Sequence, residues 1–339
     1  MSKRSIGLLI IGIVAFLAVI SIAPRIIQRK TSKRTQFSSV RPLDSPRKVN
    51  FMPNWFIDTE FAGYYFAKHY GIYNEYNLDA EILNFDYSYD APASLSLGKL
   101  DFAVMSTSKF VTSCQMGGDL VALLAIFQYE PSVFIVKNNS GIVKPEDFKG
   151  KRIVRKNDDW EKTIERILST AGLTLGDVIL VPGGKDISPF ETGDVDIWCG
   201  YAQDEPVEVE LAGISASIIY AYDYGVTDYQ GLLVTSREMI DREPQVVEAF
   251  VNASLRGWGE AIQNPEATIQ AMQDLDTTMT ITYLRKSFNK IIPFIHGGEM
   301  PVGLVDLNRW HKLMIENNLP AEDILRQEFA ERFYYPEIQ

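Results

Sequence analysis

The stretch "VNFMPNWFIDTEFAGYYFAKHYGIYNEYNLDAEILNF", residues 49–85, carries the pattern that decides the fold. A short apolar run, "VNFM", is followed by an amphipathic segment that ends at Gly71 and by a second apolar run, "LDAEILNF". A strand, a helix and a strand in this order predict a parallel β-α-β unit. The turn after the first strand also crowds aromatic residues around Asp58 and Glu60, more than a core alone requires.

The same alternation continues along the chain in two blocks. "DFAVM" and "LVALLAIFQ" are further strands of the first block, and "KRIVRK", "DVILV", "DVDIWCGY" and "ASIIYAY" are strands of the second. Helical segments separate most of these runs. Short apolar strands alternating with helices predict mainly parallel sheets that are covered on both faces.

The end of the chain is nearly all helical in pattern, as in "EPQVVEAFVNASLRGWGEAIQNP". Two α/β blocks and a helical tail predict a two-lobe α/β protein whose chain crosses between the lobes near 136–141 and near 222–230. Lobe 1 then comprises residues 49–138 and 228–339, and lobe 2 comprises 139–227. A ligand would lie between the lobes, at the carboxyl ends of the strands.

The net charge of −11 conceals an uneven distribution. Residues 1–48 hold ten of the 33 basic residues and one of the 44 acidic residues, so the rest of the chain is near −20. A body this acidic argues against a nucleic-acid partner, because phosphate binding requires concentrated basic charge.

The N-terminal residues 1–24 contain an uncharged apolar run that is just long enough to cross a bilayer. Pro24 follows the best cleavage site and no Cys follows the run, which favours an uncleaved membrane anchor over a removed signal peptide or a lipid anchor. Residues 25–48 are a basic linker. The positive charges after the run would hold the body in the cytoplasm by the positive-inside rule, whereas the function inferred below places it outside the inner membrane, in the periplasm or at the cell surface.

The common catalytic signatures are missing from the sequence, including GxSxG, GxxxxGK[ST] and HExxH. Cys114 and Cys199 are far apart and show no metal-ligand spacing, and the three His residues are scattered. We therefore expect no metal, no cofactor and no catalysis.

A binding site is better supported, because polar and aromatic residues follow the predicted strands of both blocks. The candidate ligand-binding residues are Trp55, Asp58, Glu60, Tyr64, Tyr65, Tyr87, Ser106, Thr107, Asp158, Trp160, Tyr201, Asp204 and Glu205. Each has a plainer alternative: Trp55 as lobe core, Asp204 or Glu205 as helix caps, and Tyr87 as part of a solvated loop.

The residue types in this set indicate the class of ligand. Aromatic faces and acceptor carboxylates suit a planar, amine-bearing heterocycle, which offers a stacking surface and N–H donors. An anionic ligand would prefer Arg or Lys and an uncharged helix start. The helix start "NDDWE" in the second block would repel an anion.

The quoted stretch resembles the opening of solute-binding proteins for thiamine pyrimidine precursors. That family reads Asn/Asp-Trp, a polar turn, His-Ala-Gly-Phe/Tyr-Tyr, and later Gly-Leu-Asp-Val. The likeness continues through "LSLGKLDFAVMS", "PEDFKGKRI", "GDVDIWCGYAQDEP" and "YGVTDYQGLLVTSREMI", and it covers residues 50 to about 270. The family is related to sulfonate- and riboflavin-type binding proteins and to eukaryotic thiamine-pyrimidine synthases.

The resemblance implies a two-lobe periplasmic-binding fold (type II, Venus flytrap) that delivers a small molecule to an ABC permease and ATPase. It implies pyrimidine stacking by Trp55, Tyr64 and Tyr65 and a ligand carboxylate at Glu205. Phe61 stands where the family has His, and the Cys-rich segment of the synthases is missing. These departures argue against the synthase reaction and leave a flavin-like ring open as the ligand.

The sequence leaves three candidate functions. The first is an extracytoplasmic solute-binding protein of an ABC importer, tethered to the membrane by its N-terminal helix. The second is a membrane-tethered ligand sensor that uses the same cleft. The third is an enzyme of pyrimidine synthesis.

Overall fold

The structure, a computed structural model, describes residues 41–184, 186–295 and 300–334. The predicted anchor, residues 1–24, and the predicted linker up to residue 40 lie outside these residues. Within the described ranges, no helix combines the length and the apolar character that crossing a bilayer requires.

The described strands form two five-stranded sheets. The first sheet has the spatial order β2-β1-β3-β10-β4, with β1 (Arg47–Met52), β2 (Leu78–Ile82), β3 (Phe102–Met105), β4 (Leu120–Phe127) and β10 (Gln230–Ser236). The second has the order β7-β6-β8-β5-β9, with β5 (Ser132–Lys137), β6 (Arg152–Arg155), β7 (Ile179–Pro182), β8 (Ile197–Tyr201) and β9 (Ala216–Tyr220). The two predicted α/β blocks are therefore confirmed as two sheets.

Each sheet contains one strand that runs against the others. Strand β10 pairs antiparallel with β3 and β4, and β5 pairs antiparallel with β8 and β9. Both strands are the first that the chain forms after it changes sheets. They run away from the junction between the sheets, whereas their neighbours run towards it, so the sheets are mixed rather than purely parallel.

The first change of sheet occurs at residues 128–131, between β4 and β5, and not near 136–141 as the sequence suggested. The prediction followed the polar, Gly-containing segment after β5, but β5 hydrogen-bonds only to strands of the second sheet. The start of lobe 2 therefore moves from residue 139 to 132. The second change lies at residues 221–229, between β9 and β10, and so overlaps the predicted region 222–230.

The end of the predicted linker belongs to the fold. Arg47 and Lys48 are the first residues of β1, and the Arg47 guanidinium lies 2.8 Å from a Glu243 carboxylate oxygen and 3.1 Å from one of Asp101. Upstream, the Leu43 N–H donates to the Tyr76 carbonyl over 3.2 Å. Leu43, Arg47 and Lys48 therefore take part in the fold although the sequence assigned them to the linker, because their partners are distant in sequence.

The described α-helices surround the sheets and form the tail. They are α1 (Ala62–His69), α2 (Ile72–Glu75), α3 (Ala91–Ser96), α4 (Thr107–Gln115), α5 (Asp158–Thr170), α6 (Ser188–Thr192), α7 (Glu205–Leu211), α8 (Arg237–Arg242), α9 (Pro244–Gln263), α10 (Pro265–Leu275), α11 (Ile281–Ile295), α12 (Leu307–Glu316) and α13 (Glu328–Tyr334). The helical character predicted for the tail is confirmed.

The first sheet buries both of its faces, as the apolar strands predicted. Successive residues of β3 alternate between two core clusters: Phe102 and Val104 face the α1 and α9 side, and Ala103 and Met105 face the side of α4 and α12. This is the period of two that a pleated strand imposes. The Phe102 ring stacks on Phe250 of α9 with 4.1 Å between ring centroids.

Helices α1 and α9 cross where two glycines remove the side chains between them. A Cβ atom on Gly63 would lie 2.2 Å from the Trp258 ring, and one on Gly257 would lie 2.5 Å from the Gly63 carbonyl oxygen. Only glycine permits so close an approach of the two backbones. Because α1 begins just after the turn that carries Asp58 and Glu60, this crossing fixes that turn against the sheet.

We predict that Gly257→Ala lowers the free energy of unfolding by about 1–3 kcal/mol, because the added methyl group has no room at the crossing. Thermal unfolding of the full-length protein followed by circular dichroism provides the measurement.

Gly259→Ala is the matched control, since the same helix leaves open space at Gly259. This variant should be neutral or more stable by up to about 1 kcal/mol, as alanine favours helix over glycine. Equal melting temperatures for the two variants would contradict the close crossing.

Candidate functional site

A cleft of about 1970 Å³ lies at the junction of the two sheets and is lined from both lobes. Its walls include the segments that follow β1, β3, β6 and β8, at the carboxyl ends of these parallel strands. This is where open α/β sheets bind ligands. The cleft exceeds the 300–1,000 Å³ of common small-molecule pockets, so it has room for more than a single pyrimidine ring.

The acidic turn of lobe 1 forms one part of the wall. A 3₁₀ turn spans Thr59–Phe61, and the Asp58 side chain caps it by accepting the Glu60 N–H over 3.0 Å. The Thr59 hydroxyl lies 2.6 Å from the hydroxyl of Ser287 in α11. These bonds fix the turn and the Asp58 carboxyl group, and both Asp58 and Glu60 are more than nine-tenths buried while lining the cleft.

Four aromatic rings cluster beside this turn on lobe 1. The Trp55 ring lies 5.5 Å from Phe85 and 5.7 Å from Tyr87, and Phe56 lies 5.3 Å from Phe85, measured between centroids. All four residues line the cleft, and Tyr87 is 70% exposed. Phe85 follows β2 and was missed, although its position near a strand end is the signal that identified Trp55.

The two adjacent tyrosines at the start of α1 point in different directions. Tyr65 lines the cleft near Asp58 and Glu60. Tyr64 is buried in the core, with its ring 4.8 Å from Phe51 and 5.8 Å from Trp258, and does not line the cleft. The prediction that Tyr64 contacts a ligand is therefore wrong, because consecutive helical residues face about 100° apart.

Ser106 and Thr107 line the cleft at the start of α4, as expected. The Ser106 side chain caps the helix by accepting the Lys109 N–H over 3.1 Å. The Thr107 hydroxyl donates to the Tyr229 carbonyl over 2.6 Å, and its side chain is buried. Both hydroxyl groups therefore already make hydrogen bonds within the protein.

Lobe 2 contributes its own aromatic surface. The Trp160 ring, in the first turn of α5, lies 5.2 Å from the Tyr201 ring at the end of β8, and both residues line the cleft. Asn157 caps α5 by accepting the Trp160 N–H over 2.9 Å. Asp158 begins the helix, but its side chain lies outside the described part of the structure.

Glu205 lines the cleft but is already occupied by protein partners. Its carboxylate accepts the Tyr201 N–H over 2.8 Å and pairs with the ammonium of Lys156, which follows β6. The side chain lies over Gly200, where a Cβ atom would be 2.1 Å from a Glu205 oxygen. Lys156 was missed by the sequence prediction, although it too follows a strand directly.

Asp204 meets groups from two other elements. The Tyr283 hydroxyl of α11 donates to its carboxylate over 2.6 Å, and the Asp58 side chain of lobe 1 is hydrogen-bonded to it. Next to it, the Gln203 amide donates to Glu60 over 3.3 Å. Asp204 occupies the position before α7 but its side chain makes no capping bond. No sequence signal points to Tyr283, because it lies in a tail helix far from any strand end.

Burial and like charges shift the ionisation of this group. Burial, together with the neighbouring Glu60 charge, raises the pKa of Asp58 to about 6. Burial and the charges of Asp204 and Glu205 raise the pKa of Glu60 to about 8. Burial and Asp58 raise the pKa of Asp204 as well. The site therefore holds protons near neutral pH.

The two chain crossings meet at another part of the cleft wall. The Glu130 N–H donates to the Asp228 carbonyl over 2.8 Å, and the Asp228 carboxylate pairs with Arg166 of α5, one contact being 3.0 Å. These residues join the hinge segments to lobe 2. Among the described residues, no three His, Cys, Asp or Glu side chains are grouped to hold a metal ion.

Comparison with known proteins shows which family and which individual proteins this chain is similar to. Residues 58–268 match the family model described as NMT1/THI5 like. The riboflavin-binding protein RibY of Chloroflexus aurantiacus is 25% identical over 226 residues, which are 64% of this chain and 62% of RibY. A 4-amino-5-hydroxymethyl-2-methylpyrimidine phosphate synthase of Legionella pneumophila is 23% identical over 251 residues, or 73% and 79% of the two chains.

Among solved structures, the alkanesulfonate-binding protein SsuA of Xanthomonas axonopodis pv. citri, bound to MOPS, matches with a TM-score of 0.63. The two are 15% identical, and the match covers 86% of this chain and 95% of SsuA. At this identity the likeness concerns the fold alone. The predicted two-lobe periplasmic-binding fold is confirmed.

We predict that Lys156→Met lowers the free energy of unfolding by about 3–5 kcal/mol, because it leaves the nearly buried Glu205 carboxylate without its partner. Urea unfolding followed by tryptophan fluorescence measures the loss.

Lys48→Met is the control, because the Lys48–Glu81 pair has a 2.7 Å contact but both side chains are more than half exposed. Loss of the Lys48–Glu81 pair should lower the free energy of unfolding by less than about 1 kcal/mol. Similar losses in the two variants would contradict the structural role of the buried pair.

Proposed function

Because this chain belongs to the NMT1/THI5-like family, we propose that it is an extracytoplasmic solute-binding protein that captures a small planar heterocycle for an ABC importer. Thiamine pyrimidine precursors and larger rings of the flavin type are the ligands considered. The N-terminal segment, residues 1–24, would tether the protein to the membrane beside its permease and ATPase.

One observation carries this proposal: aromatic rings reach the cleft from both lobes. Trp55 comes from lobe 1, and Trp160 and Tyr201 come from lobe 2. Rings on opposite walls are suited to enclose a flat ligand, and carboxyl groups beside them accept hydrogen bonds from its edge. The names of the relatives support this class of ligand, since riboflavin and a pyrimidine phosphate both contain planar nitrogen rings.

The described contacts also suit a protein that works by closure. Ser108 of lobe 1 donates to Asp159 of lobe 2 over 3.3 Å, and Tyr283 of lobe 1 donates to Asp204 of lobe 2 over 2.6 Å. A ligand that contacts both walls favours the closed arrangement, because it adds contacts that the open one lacks.

Synthesis of a pyrimidine phosphate is the second candidate, favoured by relatives with that name. The position where the family has His is Phe61, which is buried in the core and offers no imidazole to the cleft. Incubation with a vitamin B6 phosphate and detection of a pyrimidine product would support the enzyme, and binding without turnover would support the carrier.

The binding proposal predicts one site per chain for an aminopyrimidine or a flavin, with a change in tryptophan fluorescence on binding. Titration of the full-length protein with aminopyrimidines, flavins and alkanesulfonates measures the affinities. Failure of the whole panel, or preference for the sulfonates, would contradict the proposal.

Trp55→Ala tests the stacking role directly. We expect it to weaken the best ligand by about 10- to 100-fold, corresponding to about 1–3 kcal/mol for a lost aromatic contact. Tyr70→Ala is the control, since Tyr70 is an exposed aromatic residue that does not line the cleft. An affinity loss as large in the Tyr70 variant would contradict the assignment.

A further inference from the structure

Two carboxyl groups from opposite lobes are in direct contact across the cleft. The side chains of Asp58 and Asp204 are hydrogen-bonded to each other, and Asp204 also accepts a hydrogen bond from Tyr283. Two ionised carboxylates repel and have no hydrogen to share. Burial and the proximity of two like charges therefore favour a proton on one of the two carboxyl groups.

The surroundings of the pair are acidic and poor in positive charge. The titratable groups that face it or its immediate neighbours are Glu60, Tyr65, Lys156, Glu205, Glu208 and Tyr283. Lys156 is the cation among them, and it is paired with Glu205. The pair and Glu60 thus have no protein cation left to balance them within this group.

A buried acceptor beside the carboxyl groups also lacks a donor. Gln203 is fully buried, and its amide nitrogen reaches Glu60 over 3.3 Å. The oxygen of the same amide has no hydrogen-bond partner among the described residues. The side-chain oxygen of Asn54, a residue that lines the cleft, is likewise without a partner there. Gln203 does not line the cleft, but Asn54 does. A buried acceptor without a donor is costly, so the Asn54 oxygen favours a ligand that offers it an N–H group.

We propose that the Asp58–Asp204 pair is a cation-recognition site, where the positively charged N–H edge of a planar, amidinium-type ligand replaces the proton that the two carboxyl groups share. The exchange balances: one cationic ligand enters and one proton leaves to solvent. The proposal rests on the proposed function and adds that the ligand binds in its charged form.

The geometry favours a planar cation over a compact one such as an ammonium ion. An amidinium presents parallel N–H donors in one plane, which match the two oxygens of a carboxylate. Tyr65 lies near both Asp58 and Glu60, and the Trp55 cluster is three residues away in sequence. A flat ligand can therefore meet the carboxyl groups with its edge and the rings with its face.

The expected pH dependence follows from the shifted groups. Burial and the Asp58 charge raise the pKa of Asp204 well above its ordinary value, so a proton on the pair competes with the cation, and less strongly as the pH rises. By linkage, a ligand that displaces one proton binds up to about tenfold more tightly for each pH unit. A neutral ligand of the same shape displaces no proton and should show no such gain.

Benzamidine and benzamide are suitable probes, because they have the same planar shape and only benzamidine is cationic from pH 6 to 8. Isothermal titration of the full-length protein at pH 6, 7 and 8, in two buffers with different ionisation enthalpies, measures affinity and released protons. We expect benzamidine to bind more tightly as the pH rises, with close to one proton released at pH 6 to 7, and to exceed benzamide at pH 8 by tenfold or more.

Asp204→Asn tests the pair itself, since its amide can donate to Asp58 without a shared proton. In this variant the benzamidine affinity should fall tenfold or more at pH 8 and lose most of its pH dependence. Glu210→Gln is the control, because Glu210 lies on α7 but pairs at the exposed rim with Lys286 over 2.7 Å. It should keep the wild-type pH dependence. Should Asp204→Asn not fold, as judged by circular dichroism, Asp58→Asn provides the same comparison.

Equal binding of benzamidine and benzamide at every pH, or no binding of benzamidine, would overturn the proposal. A wild-type pH dependence in the folded Asn variant would overturn it as well. These outcomes are distinct from failure of the proposed function: a neutral flavin or pyrimidine that binds in the cleft upholds the carrier and rejects the cation site.

Discussion

The close crossing of α1 and α9 is the constraint on which the site depends. Gly63 and Gly257 let the two backbones approach so far that Trp258 lies directly on Gly63. This close packing sets the position of α1 and of the 3₁₀ turn that directly precedes it. Asp58 and Glu60 are therefore presented to the cleft by packing in the core of lobe 1 rather than by a flexible loop.

The cleft combines two kinds of polar residue. Lys156 with Glu205 forms a nearly buried ion pair within lobe 2, which satisfies its own charges and shapes the wall. Asp58 with Asp204 joins the two lobes and does not satisfy its charges without a proton or a ligand. A balanced pair stabilises one lobe in every state, whereas an unbalanced pair between lobes makes their closure sensitive to what lies between them.

Much of the fold could be predicted from the sequence, and so could some of the residues that line the cleft. Trp55, Tyr201 and Asp204, predicted from their strand-end positions, line the cleft, because parallel strands deliver their following residues to one edge of a sheet. The same rule did not distinguish Tyr64 from Tyr65, since adjacent residues of a helix face about 100° apart and these two face the core and the cleft. The first change of sheet was placed too late, because the polar, Gly-containing segment after β5 was taken for the crossing, whereas the chain crosses before β5.

The sequence by itself determined the two α/β blocks, the helical tail and the acidic, aromatic character of the site, because these follow from local periodicity and composition. Only the tertiary structure decided that Tyr283 reaches Asp204 and that Asp204 meets Asp58. These residues are 79 or more positions apart, and their contact depends on how α11 and the two lobes pack. Packing of this kind is a property of the assembled chain, and no short stretch of sequence encodes it.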